Sequence, residues 1–278
     1  MTKVIKNTHT EFYSDKFDAT IASNLSLFLY AERLIIIAKD ANGSILAVND
    51  YPFQESQELH SILESDELVQ ACKSQEGSKI YVFSEDFCLV PGMLFESDSA
   101  AKYLHFATPI MDSVTFFHRG IENNSIVVLG AGPKSLLKIF KKHINAPEII
   151  HGSTLALEYF LSDKSEMLNQ ELAISIEDGQ IYVAGFSARE LKFFNRFEVS
   201  NNQEFLKYTF SVLHQMAFDR MHCKITIIGN LKEIGVDQKI LDQYFKNINL
   251  PEPKTTQTYH PGAEEFKTTK KLAAFWTN

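Results

Sequence analysis

Glu171-Leu-Ala-Ile-Ser-Ile176 alternates apolar with small or polar residues, and the stretch it opens, as far as Ile248, decides the fold. Alternation with period 2 marks a strand. Glu177-Asp178-Gly179 supplies a tight turn, with Gly179 able to take the positive φ such a turn needs. Ile181-Tyr-Val-Ala-Gly-Phe186 is a second strand, rich in residues that fit a pleated surface. Ser187-Ala188-Arg189 then turns the chain into a third, Leu191-Lys-Phe-Phe-Asn-Arg-Phe197. Three strands joined by turns this short form an antiparallel meander.

Beyond Phe197 the period lengthens. Asn201 caps a helix, Glu204 completes a capping box, and Phe205, Tyr208, Val212, Leu213 and Met216 share one face. Lys224-Ile-Thr-Ile-Ile-Gly229 is a short apolar strand, far enough along the chain to lie parallel to the first. A second helix follows, with Ile240, Leu241, Tyr244, Phe245 and Ile248 facing inward. The resulting order, β-β-β-α-β-α, opens a ribonuclease-H-like unit.

The same order occurs earlier. Leu25-Ser-Leu-Phe-Leu-Tyr30, Leu34-Ile-Ile-Ile-Ala38 and Ser44-Ile-Leu-Ala-Val48 read as three strands, the last two joined through Asn42-Gly43, a strong hairpin signal. A helix from Ser56 to Ala71 follows, then a fourth strand, Ile80-Tyr-Val-Phe83. Glu64, Asp66 and Glu67 fall on the solvated face of that helix. The two copies stand about 145 residues apart. Duplication of this kind implies two stacked lobes with a cleft between them. Phe87-Cys-Leu-Val90, a helix through Ala100, Tyr103 and Leu104, Val114–His118, Ile126–Leu129 and a helix from Pro133 to Ile144 read as a small α+β insertion. Ile149 to Leu161 closes the first lobe with its fifth strand and last helix. The expected division is therefore 1–165 for the N-terminal lobe, with 86–145 inserted, and 166–278 for the C-terminal lobe. Residues 1–23 read as a loose arm, Pro251 onward as a linker, and the tail to Trp276 as a final strand or helix.

Composition bounds the function. The 278 residues are 45% apolar with only eight prolines, enough to build one large or two medium cores. A net charge of −8 and a pI near 5.6 argue against nucleic acid or an anionic membrane as the main partner. Cys72, Cys88 and Cys223 are odd in number and widely spaced, which fits a reducing cytoplasm rather than a disulfide framework. Lys3, Lys6, His9, Glu11, Asp15 and Asp18 leave no room for a signal-peptide core. No window reaches the roughly 18 consecutive apolar residues of a membrane span.

With its doubled unit, the chain resembles the actin-like ATPase superfamily, whose two lobes are both ribonuclease-H-like. Within it, the layout is similar to the pilus-assembly protein PilM and the cytoplasmic domain of the type II secretion protein GspL. Phe87-Cys-Leu-Val-Pro-Gly-Met-Leu-Phe95, His151-Gly-Ser-Thr154, Leu191-Lys-Phe-Phe-Asn-Arg-Phe197 and Phe205-Leu-Lys-Tyr208 resemble, closer still, a Bacteroidetes family, domain of unknown function 3822. That family carries no assigned activity, so the resemblance bears on fold more than on function.

The superfamily resemblance implies a nucleotide gripped by the first hairpin turn of each lobe, in the pattern Asp, any residue, Gly, then small residues. The Asp works through a metal and water, and the small residues let backbone N–H groups reach phosphate. Here the first-lobe turn is Leu29-Tyr30-Ala31-Glu32, in which Tyr30 opposes phosphate by bulk and Glu32 by charge. The second-lobe turn, Ser175-Ile176-Glu177-Asp178-Gly179, keeps an acid and a Gly out of the family order. The adenosine turn, a Gly-Gly pair in the family, becomes Ile228-Gly229-Asn230-Leu231. All three turns are weakened. ATP hydrolysis is therefore not expected.

Other motifs have plainer readings. Gly130-Ala-Gly-Pro-Lys-Ser135 imitates a phosphate loop, but Pro133 removes an amide donor and reads as the start of a helix. Leu25–Tyr30 offers no carboxylate for the two metals of a ribonuclease-H-type nuclease, and only Glu177 and Asp178 come near in the second copy. His214, His222 and Cys223 lack zinc-site spacing. His151-Gly-Ser153-Thr154 reads as a strand-end turn with Ser153 capping a helix.

The expectation is a catalytically degenerate actin-like protein serving as a protein-binding or scaffold module, cytoplasmic, with an unidentified protein partner and no catalytic residue, metal or cofactor. The alternative is a nucleotide-dependent ATPase or kinase with a rearranged site, holding Mg-ATP through Asp178, Gly179, Gly229 and Asn230.

Overall fold

The computed structural model describes residues 9–109 and 113–277, so the expected arm before His9 lies outside the described residues. The chain divides into two compact units, Met1–Thr154 with Gln257–Phe266, and Leu155–Thr256 with Lys267–Asn278.

The first unit opens with β1 (Thr10–Tyr13), β2 (Asn24–Leu29), β3 (Arg33–Lys39) and β4 (Ile45–Pro52). Helices α1 (Ser56–Ser65) and α2 (Glu67–Cys72) lead to β5 (Lys79–Val82). Then come β6 (Phe87–Pro91), α3 (Ala100–Ala107), β7 (Val114–Ile121), β8 (Ile126–Pro133), α4 (Lys134–His143) and β9 (Glu148–His151). Six strands form one sheet in the order β1-β4-β3-β2-β5-β9. Adjacent β2, β3 and β4 pair antiparallel, whereas β2·β5 and β5·β9 are parallel. Leu34, Ile36, Leu59, Leu63, Leu137 and Phe140 are part of its core.

Helix α5 (Ser153–Ser162) leads into the second unit. There β10 (Glu171–Glu177), β11 (Gln180–Ser187) and β12 (Glu190–Glu198) form the meander, followed by α6 (Asn202–Gln215) and β13 (Lys224–Ile228). After these come α7 (Gln238–Tyr244) and β14 (Asn247–Asn249). The sheet order is β12-β11-β10-β13-β14, with β13 parallel to β10 and to β14. Set β1 aside and both sheets run third, second, first, fourth, fifth, with the same strand directions. The doubling legible in the sequence is thus a doubling of topology. Asn201 caps α6 by accepting from the Glu204 amide at 2.9 Å, and Phe205, Val212 and Leu213 bury its apolar face.

Several expectations need correction. The arm is a strand from Thr10 on: β1 pairs with β4, placing Thr10 opposite Asp50 and Tyr13 opposite Ala47. The single helix over 56–71 is two, because Asp66 leaves the helix at ψ 127° and caps α2 through the Val69 amide at 2.9 Å. Nor does Asp66 face solvent. It is 3% exposed and accepts from Asn49 Nδ2 at 2.7 Å and the Tyr51 hydroxyl at 2.8 Å. Ile248 sits in β14 opposite Ile225, since the chain turns extended at Phe245.

The last segment forms neither a named strand nor an α-helix, only 3-10 turns over Ala263–Thr269 and Leu272–Ala274 and a bridge from Tyr259 to Ile45. That bridge, with the Ile45 amide donating to the Thr258 carbonyl at 2.9 Å, ties Gln257–Phe266 to the first unit. The two compact units meet in sequence at Thr154, within α5, whose Leu155, Leu157 and Phe160 are buried. Within 86–145, β6, β8 and β7 make a separate three-stranded sheet packed on α3 through Ala100, Leu104, Leu129 and Ala131. Helix α4 instead gives Leu137 and Phe140 to the first unit's main core.

Asp66→Ala removes a cap and takes an acceptor from Asn49 Nδ2, which keeps the Tyr13 hydroxyl at 3.1 Å, and from the half-buried Tyr51 hydroxyl. Each loss costs on the order of 1 kcal/mol or more, so urea unfolding should show a loss of roughly 2–4 kcal/mol. A loss under about 0.5 kcal/mol, the range of a plain surface change, would contradict the buried position.

Candidate functional site

In the second unit Glu177 and Gln180 pair across β10 and β11, leaving Asp178 (φ 47°) and Gly179 (φ 78°) as a two-residue turn. Two successive left-handed residues make the primed turn that matches strand twist. Glu177 points into protein and is 1% exposed. Its Oε1 accepts the Leu272 amide at 2.8 Å and the Ser175 hydroxyl at 3.2 Å. Beside it, the Lys271 ammonium lies 3.5 Å from Asp178 Oδ1. Leu272, Ala273 and Ala274 are buried along with them.

Burial pushes the Glu177 carboxyl up to about 7, and Glu233 acts in the same direction. Lys271, the Leu272 amide and the Ser175 hydroxyl pull it down without overcoming desolvation. An acid at this corner therefore holds a segment of its own chain.

Gly229 follows β13 with φ 103°, and a Cβ there would meet the Ile176 carbonyl oxygen at 2.5 Å. The glycine thus lets the exit of β13 pass tightly against β10, one residue before Glu177. Asn230 turns inward to its own loop: Oδ1 accepts the Lys232 amide at 3.2 Å and Nδ2 reaches Glu233 Oε1 at 3.4 Å. The structure accordingly brings Asp178, Gly179, Gly229 and Asn230 to one end of the second sheet, each with a structural task there.

The equivalent corner of the first unit is filled by rings. Tyr30 is 2% exposed and stacks on Phe83 with centroids 4.2 Å apart. Glu32 stays exposed, and its carbonyl accepts the Phe53 amide at 3.0 Å. A Cβ on Gly152 would collide with the Phe83 ring at 2.5 Å. Next to it, His151 Nδ1 accepts the Ser153 amide at 3.1 Å and faces its hydroxyl at 2.7 Å, so Nε2 donates to the Ser84 carbonyl at 3.1 Å. Ser153 is fully buried. The histidine ties strand to helix, and no substrate reaches the serine.

One surface feature went unread in the sequence. In the insertion, Met93 and Phe106 are 92% and 91% exposed, and Leu94 is exposed beside them. Leu94 and Phe106 line a groove of about 320 Å³ together with Cys88, Leu89, Val90 and Tyr103, between β6 and α3. Phe106 lies off the buried stripe of α3 that Ala100 and Leu104 define. A lone large ring on the polar side of a helix is the signal that could have found it. The Tyr103 hydroxyl donates to the Leu94 carbonyl and holds the exposed loop against the helix.

The model of a protein family of unknown function, DUF3822, matches residues 14–248. The chain belongs to DUF3822. No curated protein matches it. Among solved structures, this DUF3822 chain is similar to a Bacteroides thetaiotaomicron protein with an actin-like ATPase fold and unknown function. The TM-score is 0.75 at 15% identity, covering 86% of this chain and 94% of the other. It is also similar to a chain of the PilM–PilN type IV pilus biogenesis complex, with TM-score 0.58 at 11% identity, covering 91% of this chain and 96% of that one. At these identities the likeness shows the fold: two ribonuclease-H-like units of the actin-like ATPase class.

The remaining motifs stay apart in the DUF3822 chain. Gly130 and Gly132 lie within β8 opposite Phe117 and Thr115, so the apparent phosphate loop is a strand. His222 is exposed and pairs with Asp219 at 2.7 Å, whereas Cys223 is buried. Among the described residues no group of three or more His, Cys, Asp or Glu has the geometry to hold a metal. Burial pushes the Cys72 and Cys88 thiols up to about 11 and Cys223 up to about 12, so none offers a thiolate at neutral pH.

Glu177 also gives the unit a pH signature. Its folded pKa is raised, so the stability it contributes is full below its ordinary range near 4.5 and is lost as pH rises through about 7. Glu177→Gln carries no such titration. The stability difference, wild type minus variant, should fall between those limits and flatten above them in thermal melts. A difference that grows with pH would contradict this placement of Glu177.

Proposed function

We propose that this DUF3822 chain is a protein-binding module built on an actin-like fold, with its phosphate corners closed by its own side chains. The carrying observation is the apolar patch of Met93, Leu94 and Phe106 flanking the groove on the insertion. Large exposed apolar side chains beside a groove are the surface that a partner covers.

The strand β6 lies at an edge of the three-stranded sheet and lines that groove. The occupant that fits is an extended segment of another protein. It would pair with the β6 edge and place apolar side chains against Leu89, Tyr103 and Phe106. A structural neighbour of the same fold, PilM, was solved in a complex with PilN, which supports protein partnering as a use of this architecture. In this reading no nucleotide, metal or other cofactor takes part. No helix among the described residues is long and apolar enough to cross a membrane. The three free cysteines fit a reducing compartment such as the cytoplasm.

The test uses three baits in a lysate of the native cell: wild type, a Met93→Ser/Phe106→Ser variant and Asp178→Ala. A protein held by the wild type and by Asp178→Ala, lost with the double variant, and protecting the edge-facing Leu89 amide from exchange, is the expected result. Equal retention by all three baits, or loss only with Asp178→Ala, would overturn the assignment of this face.

A further inference from the structure

Among the elements that meet at the second unit's hairpin turn, one is not part of the sheet or of an α-helix. The segment Lys271–Phe275 has a single 3-10 turn, Leu272–Ala274, yet it is buried. Its backbone reaches two places in the same unit: the Leu272 amide donates to Glu177 Oε1 at 2.8 Å, and the Phe275 carbonyl accepts the Thr256 amide at 3.0 Å. Its one cation, Lys271, lies 3.5 Å from Asp178 Oδ1 with its side chain nearly enclosed. Trp276 packs edge-on against Tyr159, with centroids 5.5 Å apart.

This is how a ligand would be held at the turn. An amide satisfies the buried acid, an ammonium neutralises its neighbour, and an apolar body excludes water from both. We infer that Lys271–Phe275 is an intramolecular latch, a stretch of the chain's own backbone seated on the Glu177-Asp178-Gly179 turn and released from it as a unit while the sheet stays folded.

Physical reasons support release as a separate step. A segment outside the strand ladder can open without breaking strand pairs, and local openings of this kind cost less than global unfolding. The contact also rests on a carboxylate buried at 1% exposure, where desolvation offsets much of what the amide and ammonium contribute. Closed, the latch covers Glu177 and engages the part-exposed Asp178. Open, it exposes them together. The inference concerns the second unit alone and stands whether or not the insertion binds a partner.

Amide hydrogen exchange on the full chain tests it. The Ala274, Phe275 and Trp276 amides, which donate to Lys271 and Leu272 carbonyls, should exchange at least about 10-fold faster than those of β10 and β11. Lys271 precedes the turn at φ −69° and ψ 142°, a conformation that accepts a following proline. Leu272→Pro therefore deletes the donor to Glu177, while Leu272→Ala deletes only the side chain. The proline variant should speed segment exchange about 10-fold beyond the alanine variant, the effect of one lost hydrogen bond to a charged group.

Glu177→Leu provides a second arm that does not depend on the proline variant folding. It removes the buried charge, so it should leave β10 and β11 at least as protected as in the wild type while the segment exchanges faster. Segment and strands exchanging at one common rate in the wild type, or slowing and quickening together in Glu177→Leu, would overturn the latch.

Discussion

A carboxylate at the end of a buried strand must find donors, and Glu177 finds them in the Leu272 amide and the Ser175 hydroxyl. Much of the second unit's corner follows from that need. The type of turn that follows, with Asp178 and Gly179 both left-handed, aims Asp178 at Lys271 instead of into solvent. Gly229 has no side chain because the exit of β13 must clear Ile176, the residue just before the acid. An unpaired carboxylate in that position would cost several kcal/mol. The segment that satisfies it while closed therefore also covers it.

The two units solve one topological problem with different chemistry. Both sheets run in the same strand order, and in both the first strand hands over to a short hairpin. The first unit closes its corner with the stacked rings of Tyr30 and Phe83, against which Gly152 packs without a Cβ. The second closes its corner with charge, an amide and an ammonium. The first corner thus carries Tyr30 on Phe83, and the second the contact of Glu177 with the Leu272 amide. The surface that does stay open and apolar lies elsewhere, on the insertion between β6 and α3.

Much of the architecture was legible because it is local. Period-2 runs such as Glu171–Ile176 and short turns such as Asp178-Gly179 fix strand pairing over a few residues, and the repeat of that pattern exposed the doubled unit. The departures share one cause: a long-range partner overrode a local signal. Asp66 reads as a surface acid until Asn49 and Tyr51, on β4, turn it into a buried cap that splits the helix. Thr10–Tyr13 reads as a polar arm until β4 offers it an edge. At the site, the turn residues were legible as a degenerate pattern. Their occupant was not, because nothing in Lys271-Leu-Ala-Ala-Phe275 announces that it will return over roughly 95 residues of chain to Glu177.

The fold assigns this chain to the actin-like class, whereas we propose that its filled corners take no nucleotide. Calorimetric and thermal-shift titration of the full chain with Mg-ATP tests that separation most directly. Ligand that binds only the folded state stabilises it progressively as its concentration exceeds the dissociation constant. The closed corners predict no heat of binding and an unchanged melting temperature up to millimolar nucleotide, on the order of 1,000 times a typical micromolar constant. A saturable rise in melting temperature, abolished by Asp178→Ala, would contradict the account.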